Sequence, residues 1–113
     1  MVRRIPLTPH SRALLEHRDE VLEAAKRCDL TNVRVFGSIA RGDANEDSDI
    51  DLLVSFVPDS RFGFEMYGLP VLVERLTDRK VDMLFDDQLR PKDGELPSQA
   101  SVRASILEDA VPL

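Results

Sequence analysis

Val35-Phe36-Gly37-Ser38-Ile39-Ala40-Arg41-Gly42-Asp43-Ala44-Asn45-Glu46-Asp47-Ser48-Asp49-Ile50-Asp51-Leu52-Leu53-Val54 decides the reading of this 113-residue chain. The segment Asn32–Phe36 that leads into it alternates and is β-branched, which predicts a short strand. Gly37-Ser38 ends that strand, and Ile39 to Gly42 reads as one helical turn closed by glycine. Residues 43–48 form a polar loop. Asp49 to Val57 is the strongest strand signal in the chain, carried by the run Ile50-Asp51-Leu52-Leu53-Val54. Side chains two apart on a strand share a face, so Asp49 and Asp51 are expected to point one way while Ile50 and Leu52 point into a core.

Working outward, residues 1–9 read as an irregular lead-in broken by Pro6 and Pro9. Ser11 is the expected N-cap of one helix running to about Asp29, with Leu14, Leu15, Val21, Leu22, Ala25 and Cys28 on its apolar face. Phe62, Phe64, Met66 and Tyr67 lie in an ambiguous stretch that serves either the core or a docking patch. Leu69, Leu72, Val73 and Leu76 then repeat at helical spacing, with Pro70 tolerated in the first turn. Lys80–Phe85 reads as a third strand and 86–97 as a loop. A last helix over about 98–110 carries Val102, Ile106, Leu107 and Ala110. The apolar positions of the first and last helices are expected in the core, with Cys28 among them, and His10 and His17 at the surface with no partner at ligand spacing. Few strands with helices between them predict an α/β (α+β) class: a small mixed sheet with helices packed on it, in a single domain over 1–113.

Composition narrows the function. At 12.7 kDa the chain has the size of one domain, and no apolar run approaches the roughly 18 residues of a membrane span. The N-terminus lacks the apolar core of a signal peptide. One cysteine makes neither an internal disulfide nor a zinc cluster, so the expected location is cytoplasmic. A net charge of −6 argues against direct nucleic-acid binding, whose affinity rests on neutralising phosphates. The acidity is concentrated, however: Asp43, Glu46, Asp47, Asp49 and Asp51 fall within nine residues, and without these five and Asp82 the chain is neutral.

The chemistry is read from residue types and spacing. Glycine at position 37 permits a ligand to approach the backbone, and free amides at a helix start together with the Ser38 hydroxyl suit a phosphate. Two carboxylates a few ångströms apart repel unless a cation lies between them, and Mg²⁺ prefers such oxygen ligands along with substrate phosphates. Asp82 lies on the next apolar strand and joins the set if that strand neighbours Asp49–Val57. Three such carboxylates fit metal-assisted phosphoryl or nucleotidyl transfer. Rival motifs fail on spacing. Gly37 and Gly42 are separated as in a P-loop, but Asp43 stands where lysine is required. Calcium loops counted from Asp43 or Asp47 lack the glycine and the final glutamate. Arg41-Gly42-Asp43 is read as a coincidental tripeptide. The loop acids Asp43, Glu46 and Asp47 read as a solvated face, whereas aspartate is depleted in strands and Asp49 and Asp51 call for a role.

Glycine-serine, ten residues, then Asp-x-Asp is the signature of the DNA polymerase β-like nucleotidyltransferase superfamily. Gly37-Ser38 and Asp49-Ile50-Asp51 match it without a gap, and Arg41-Gly42 and Ser48 fit the fuller pattern. In length the chain resembles the minimal nucleotidyltransferase (MNT) antitoxin family, with the likeness covering about 12–85 and the ending 106–111. The resemblance implies a nucleotidyltransferase fold, with Gly37 and Ser38 on nucleotide phosphates, Asp49 and Asp51 on Mg²⁺, and Asp82 as third metal ligand and catalytic base. Arg41 either approaches a phosphate or pairs in solvent with Asp43 or Glu46. The stretch 91–97 is longer than the usual link to the last helix, which leaves that helix's position open. The family further implies a HEPN-type toxin as partner in a hetero-oligomer, with AMP passing from ATP to a tyrosine hydroxyl of that toxin. The alternatives are an antitoxin that works by binding alone with a vestigial site, and nucleotidylation of a small molecule, for which the chain has little room.

Overall fold

The computed structural model describes residues 3–57, 68–89, 91 and 93–113. Phe62, Phe64, Met66 and Tyr67 lie outside the described residues. The elements are α1 (Arg12–Glu16), α2 (Arg18–Arg27), β1 (Leu30–Phe36), α3 (Gly37–Arg41), β2 (Ile50–Phe56), α4 (Gly68–Thr77), β3 (Val81–Phe85), a 3-10 turn (Asp86–Leu89), α5 (Pro97–Asp109) and β4 (Val111–Pro112). The strands form one mixed sheet in the order β3-β2-β1-β4. Strand β1 is antiparallel to β2 and β4, and β2 is parallel to β3 across the α4 crossover. The expected mixed sheet with packed helices is therefore the observed architecture.

Alternation gives the sheet two unlike faces. On one, Val35, Leu52 and Met83 align across the three main strands, with Val33, Ile50, Val54 and Val81 beside them. Helices α2 and α4 cover this face with Val21, Ala25, Leu69 and Val73, all buried. Each fully buried leucine or valine here contributes roughly 1.5–3 kcal/mol relative to exposure. Phe56 and Phe85 stack at the end of the same face, centroids 4.4 Å apart and nearly coplanar at 3°. The other face carries Phe36, Asp51 and Asp82 in one row and Arg34, Leu53 and Leu84 in the next.

The first helix is not continuous. His17 leaves the helical region at φ −101° and ψ 18°, ending α1 and preceding α2. Ser11 stands at the N-cap position of α1, as expected, but its side chain makes no capping hydrogen bond. Its hydroxyl is buried, donates to the Pro6 carbonyl at 2.6 Å and accepts the Thr8 amide at 2.9 Å, so it fastens the lead-in instead. The apolar face predicted for this region does reach the core through Leu14, Val21 and Ala25, while Leu15, Leu22 and Cys28 pack half-buried against it. His10 is half-buried rather than free at the surface, its Nδ1 2.6 Å from Arg79 Nη2. His17 pairs with Glu20 at 2.9 Å.

The last helix departs furthest from expectation. None of its residues is buried; Val102 is 60% and Leu107 51% exposed, so its apolar positions are not core. Val102 and Ile106 lie one turn apart, but Leu107 points off that line and Ala110 falls beyond the helix. The helix rests on β1 and α3, with a cavity of about 410 Å³ between it, Leu84 and the 3-10 turn. Beyond the helix the chain adds a short strand that the sequence did not predict. Val111 pairs with Val35, and the Leu113 amide bonds to the Val33 carbonyl at 3.0 Å, burying Val111 and Leu113.

Strand β3 lies at a sheet edge, where unpaired amides invite association with another chain. Two of its amides end on side chains instead: Val81 on Glu74 Oε1 at 3.1 Å and Phe85 on Gln88 Oε1 at 2.9 Å.

Candidate active site

The register of three strands brings the candidate residues together. Asp51 is the Cα partner of Phe36 on one side and of Asp82 on the other. The chain then turns at Gly37 into the short helix α3. Gly37 has φ +72°, a left-handed conformation natural to glycine, and a β-carbon there would collide with Asp51 Oδ2. Glycine is thus required twice, once by the backbone and once by the carboxylate lying against it. Gly42 closes α3 at φ +85°, with Pro6 Cγ 3.1 Å from where a β-carbon would stand.

Asp51 is half-buried between β1 and β3. Burial first, then the charges of Asp82 and Asp49, push its carboxyl from 3.8 up to about 6, and Arg41 opposes them with the weakest of the four effects. Asp49 lies just before β2 rather than within it, and the Ile50 amide beside it bonds to the Lys80 carbonyl at 2.9 Å. Asp82 is exposed on the edge strand. Among the described residues no three His, Cys, Asp or Glu close into a preformed metal-binding group. The three aspartates instead share a field: Asp82 and Asp49 each raise Asp51 by repulsion. Their donors are all carboxylate oxygens and their charges are under-compensated, which fits a hard divalent cation.

The first amides of α3, at Ser38 and Ile39, lack intrahelical acceptors as at any helix start. Ser38 is half-buried, and its hydroxyl makes no hydrogen bond with another described residue. Arg41, at the end of α3, does not lie on the aspartates. Its Nη1 donates to Asp109 Oδ2 of α5 at 2.7 Å and its Nε to Asp43 Oδ2 at 3.2 Å. Those two bonds, Asp109 first, raise the arginine's own pKa further. Of the two roles left open for Arg41, the structure displays the pairing with Asp43, to which it adds Asp109. A cavity of about 280 Å³ opens between α3 and α5, lined by Gly37, Arg41, Ser101, Ser105, Ile106 and Asp109 among others.

Two further residues shape the site. Arg79 Nη1 donates to the carbonyls of Asn45 at 2.9 Å and Ser48 at 3.1 Å, pinning the acidic loop to the start of β3. The loop is also tied to itself, the Asp47 amide on Asn45 Oδ1 at 2.8 Å and the Asn45 amide on Ser48 Oγ at 2.9 Å. Sequence reasoning missed Arg79 and Asp109 because each acts on a residue more than thirty positions away. Nothing in their local pattern signals it. The loop acids Asp43, Glu46 and Asp47 are exposed, as expected of a solvated face.

A family model for the nucleotidyltransferase domain matches residues 14–112. The protein adenylyltransferase MntA of Thermococcus cleftensis is 34% identical over 79 residues, 68% of this chain and 74% of its own length. A solved structure described as a minimal nucleotidyltransferase superposes with a TM-score of 0.68 at 37% identity, covering 88% of this chain and 92% of that one. A crystal structure of the MntA-HpeT toxin-antitoxin pair superposes with a TM-score of 0.54 over 81% of this chain and 67% of the other; at 15% identity it shows the fold alone. The matched span contains Gly37, Asp49, Asp51 and Asp82, and with that span and these relatives the chain belongs to the nucleotidyltransferase domain family and is a nucleotidyltransferase.

Proposed function

We propose that this nucleotidyltransferase is a Mg²⁺-dependent protein adenylyltransferase that serves as the antitoxin of a toxin-antitoxin pair, passing AMP from ATP to a tyrosine hydroxyl of a HEPN-type toxin. The carrying observation is the alignment of Asp51 with Asp82 in the row that begins beside Gly37. The name of the Thermococcus relative supports a protein acceptor, and the toxin-antitoxin neighbour supports the partner class.

Each residue has its own part in the reaction. The backbone at Gly37 and the Ser38 amide and hydroxyl, at the start of α3, receive the phosphates. Asp49, Asp51 and Asp82 would hold Mg²⁺, which when bound would supply charge to offset the phosphates. Asp82, the exposed member, takes the proton of the incoming hydroxyl. The hydroxyl oxygen bonds to the α-phosphorus as the bond to the β-phosphate bridging oxygen breaks. Pyrophosphate carries away that electron pair, and AMP remains on the acceptor.

Incubation with α-labelled ATP, Mg²⁺ and the product of the adjacent gene tests this reading. Label on the partner that disappears in the Asp49→Ala/Asp51→Ala variant supports it. A partner that stays unlabelled beside folded protein removes it. Cells still protected from the toxin by that double variant would leave binding alone as the mode of neutralisation.

A further inference from the structure

Arg41 has five N–H donors in a rigid fork, and the structure shows where some of them go. Nε is held by Asp43 from the loop after α3, and Nη1 by Asp109 from the last turn of α5. Nη2 has no hydrogen-bond partner among the described residues. Arg41, Gly37 and Asp109 line the same 280 Å³ cavity, and Gly37 touches the Asp51 carboxylate. Two carboxylates on two different elements therefore fix the guanidinium from two sides.

We propose that Asp109 is a positioning residue: with Asp43 it clamps Arg41 at the cavity between α3 and α5 and leaves Nη2 to meet a nucleotide phosphate. The inference rests on the proposed nucleotide chemistry and extends it to a residue of the last helix. It also gives α5 a purpose its packing does not. The helix has no buried residue, and its C-terminal end is tied down by Arg41 on Asp109 and by Arg3 on the Glu108 carbonyl. The clamp is charge-assisted on both arms, and such bonds are about twice as strong as neutral ones.

The experiment measures binding of Mg²⁺ with the non-hydrolysable ATP analogue AMP-PNP to the full chain by calorimetry. The variants are Asp109→Asn, Asp109→Glu, Arg41→Lys and the double variant Arg41→Lys/Asp109→Asn, each checked by thermal unfolding. Asp109→Asn is expected to weaken binding about tenfold, the change expected from losing one positioning ion pair. Asp109→Glu restores it to within about threefold, and in the Arg41→Lys background Asp109→Asn adds less than about twofold, since residues acting as a unit are not additive. Unchanged binding in Asp109→Asn overturns the inference while leaving the nucleotide reading intact. So does an equal loss with and without the Arg41 change. A wild-type chain that does not bind the analogue removes the nucleotide reading and this inference with it.

Discussion

Asp51 and Asp82 are direct partners across parallel strands, two carboxylates on one face in neighbouring positions of the sheet. Like charges so placed destabilise the fold unless a proton or a cation intervenes. The sheet tolerates the pair because the opposite face of the same strands is closed by Ile50, Leu52 and Val54, all with no exposed surface.

The first prediction concerns pH. The Asp51 carboxyl titrates near 6 in the folded chain against 3.8 as its ordinary value, with burial the main cause. The folded state therefore holds an extra proton between about pH 4 and 6, and stability falls as pH rises through that window. Because Asp51 is half-buried, solvent screening reduces the effect to about 1–2 kcal/mol. Urea unfolding of wild type and Asp51→Asn at pH 4 and pH 7.5, without metal, is expected to show the variant gaining that amount at the higher pH. A difference that does not change with pH would contradict the electrostatic origin.

Divalent cations should relieve the same strain. At a concentration about a hundred times its dissociation constant, a cation bound only by the folded state adds about 2.7 kcal/mol. Mg²⁺ is expected to raise the wild-type melting temperature by several degrees at pH 7.5, and by less than half as much in Asp49→Asn/Asp51→Asn. Differential scanning fluorimetry over a Mg²⁺ series measures both.

Gly37 and Gly94 offer a matched comparison. Both have positive φ, +72° and +76°, but a β-carbon at Gly37 meets Asp51 whereas one at Gly94 meets open space. Gly94→Ala should cost about 1 kcal/mol and leave activity alone. Gly37→Ala should cost about 2–4 kcal/mol and reduce nucleotidyl transfer at least a hundredfold, which corresponds to about 3 kcal/mol in the barrier. Equal activity in the two variants would show that the contact with Asp51 is incidental.

Arg79 makes its own prediction. Removing it frees two loop carbonyls and the contact with His10. Arg79→Ala is expected to lower stability by about 1–2 kcal/mol and to speed hydrogen exchange at residues 43–48 more than elsewhere. Uniform acceleration across the sheet would indicate a global effect instead.

The two ends of the C-terminal segment should respond unequally to substitution. Val111, 3% exposed, sits against β1, and Val111→Ala should destabilise by about 1–2 kcal/mol. Val102, 60% exposed, should accept serine within about 0.5 kcal/mol. Chemical denaturation of the two variants distinguishes this from a helix that is part of the core.

The residues that announce themselves in the sequence are those whose role is local. Gly37, Ser38 and Asp51 lie within fifteen positions, and the alternation around Ile50 and Leu52 places them on a strand and its turn. Asp82 is legible for the same reason, as a charge inside a short apolar run. What is not legible depends on partners that no local pattern names. Ser11 stands at the N-cap, yet its hydroxyl turns back onto Pro6 and Thr8. Strand β4 covers two residues, too few for a period to register. Val102 and Ile106 are spaced like core residues, yet α5 rests on β1 and α3 without burying any of its residues.

The pairing of β2 with β3 also acts as a ruler. A slip of one residue would set Met83 beside Asp51 and turn the Asp82 carboxylate into the apolar layer under α4. A one-residue error therefore spoils the interior and misplaces the charges together. For errors of that kind, a chain that has packed its interior has by the same act measured out the spacing of its reactive groups.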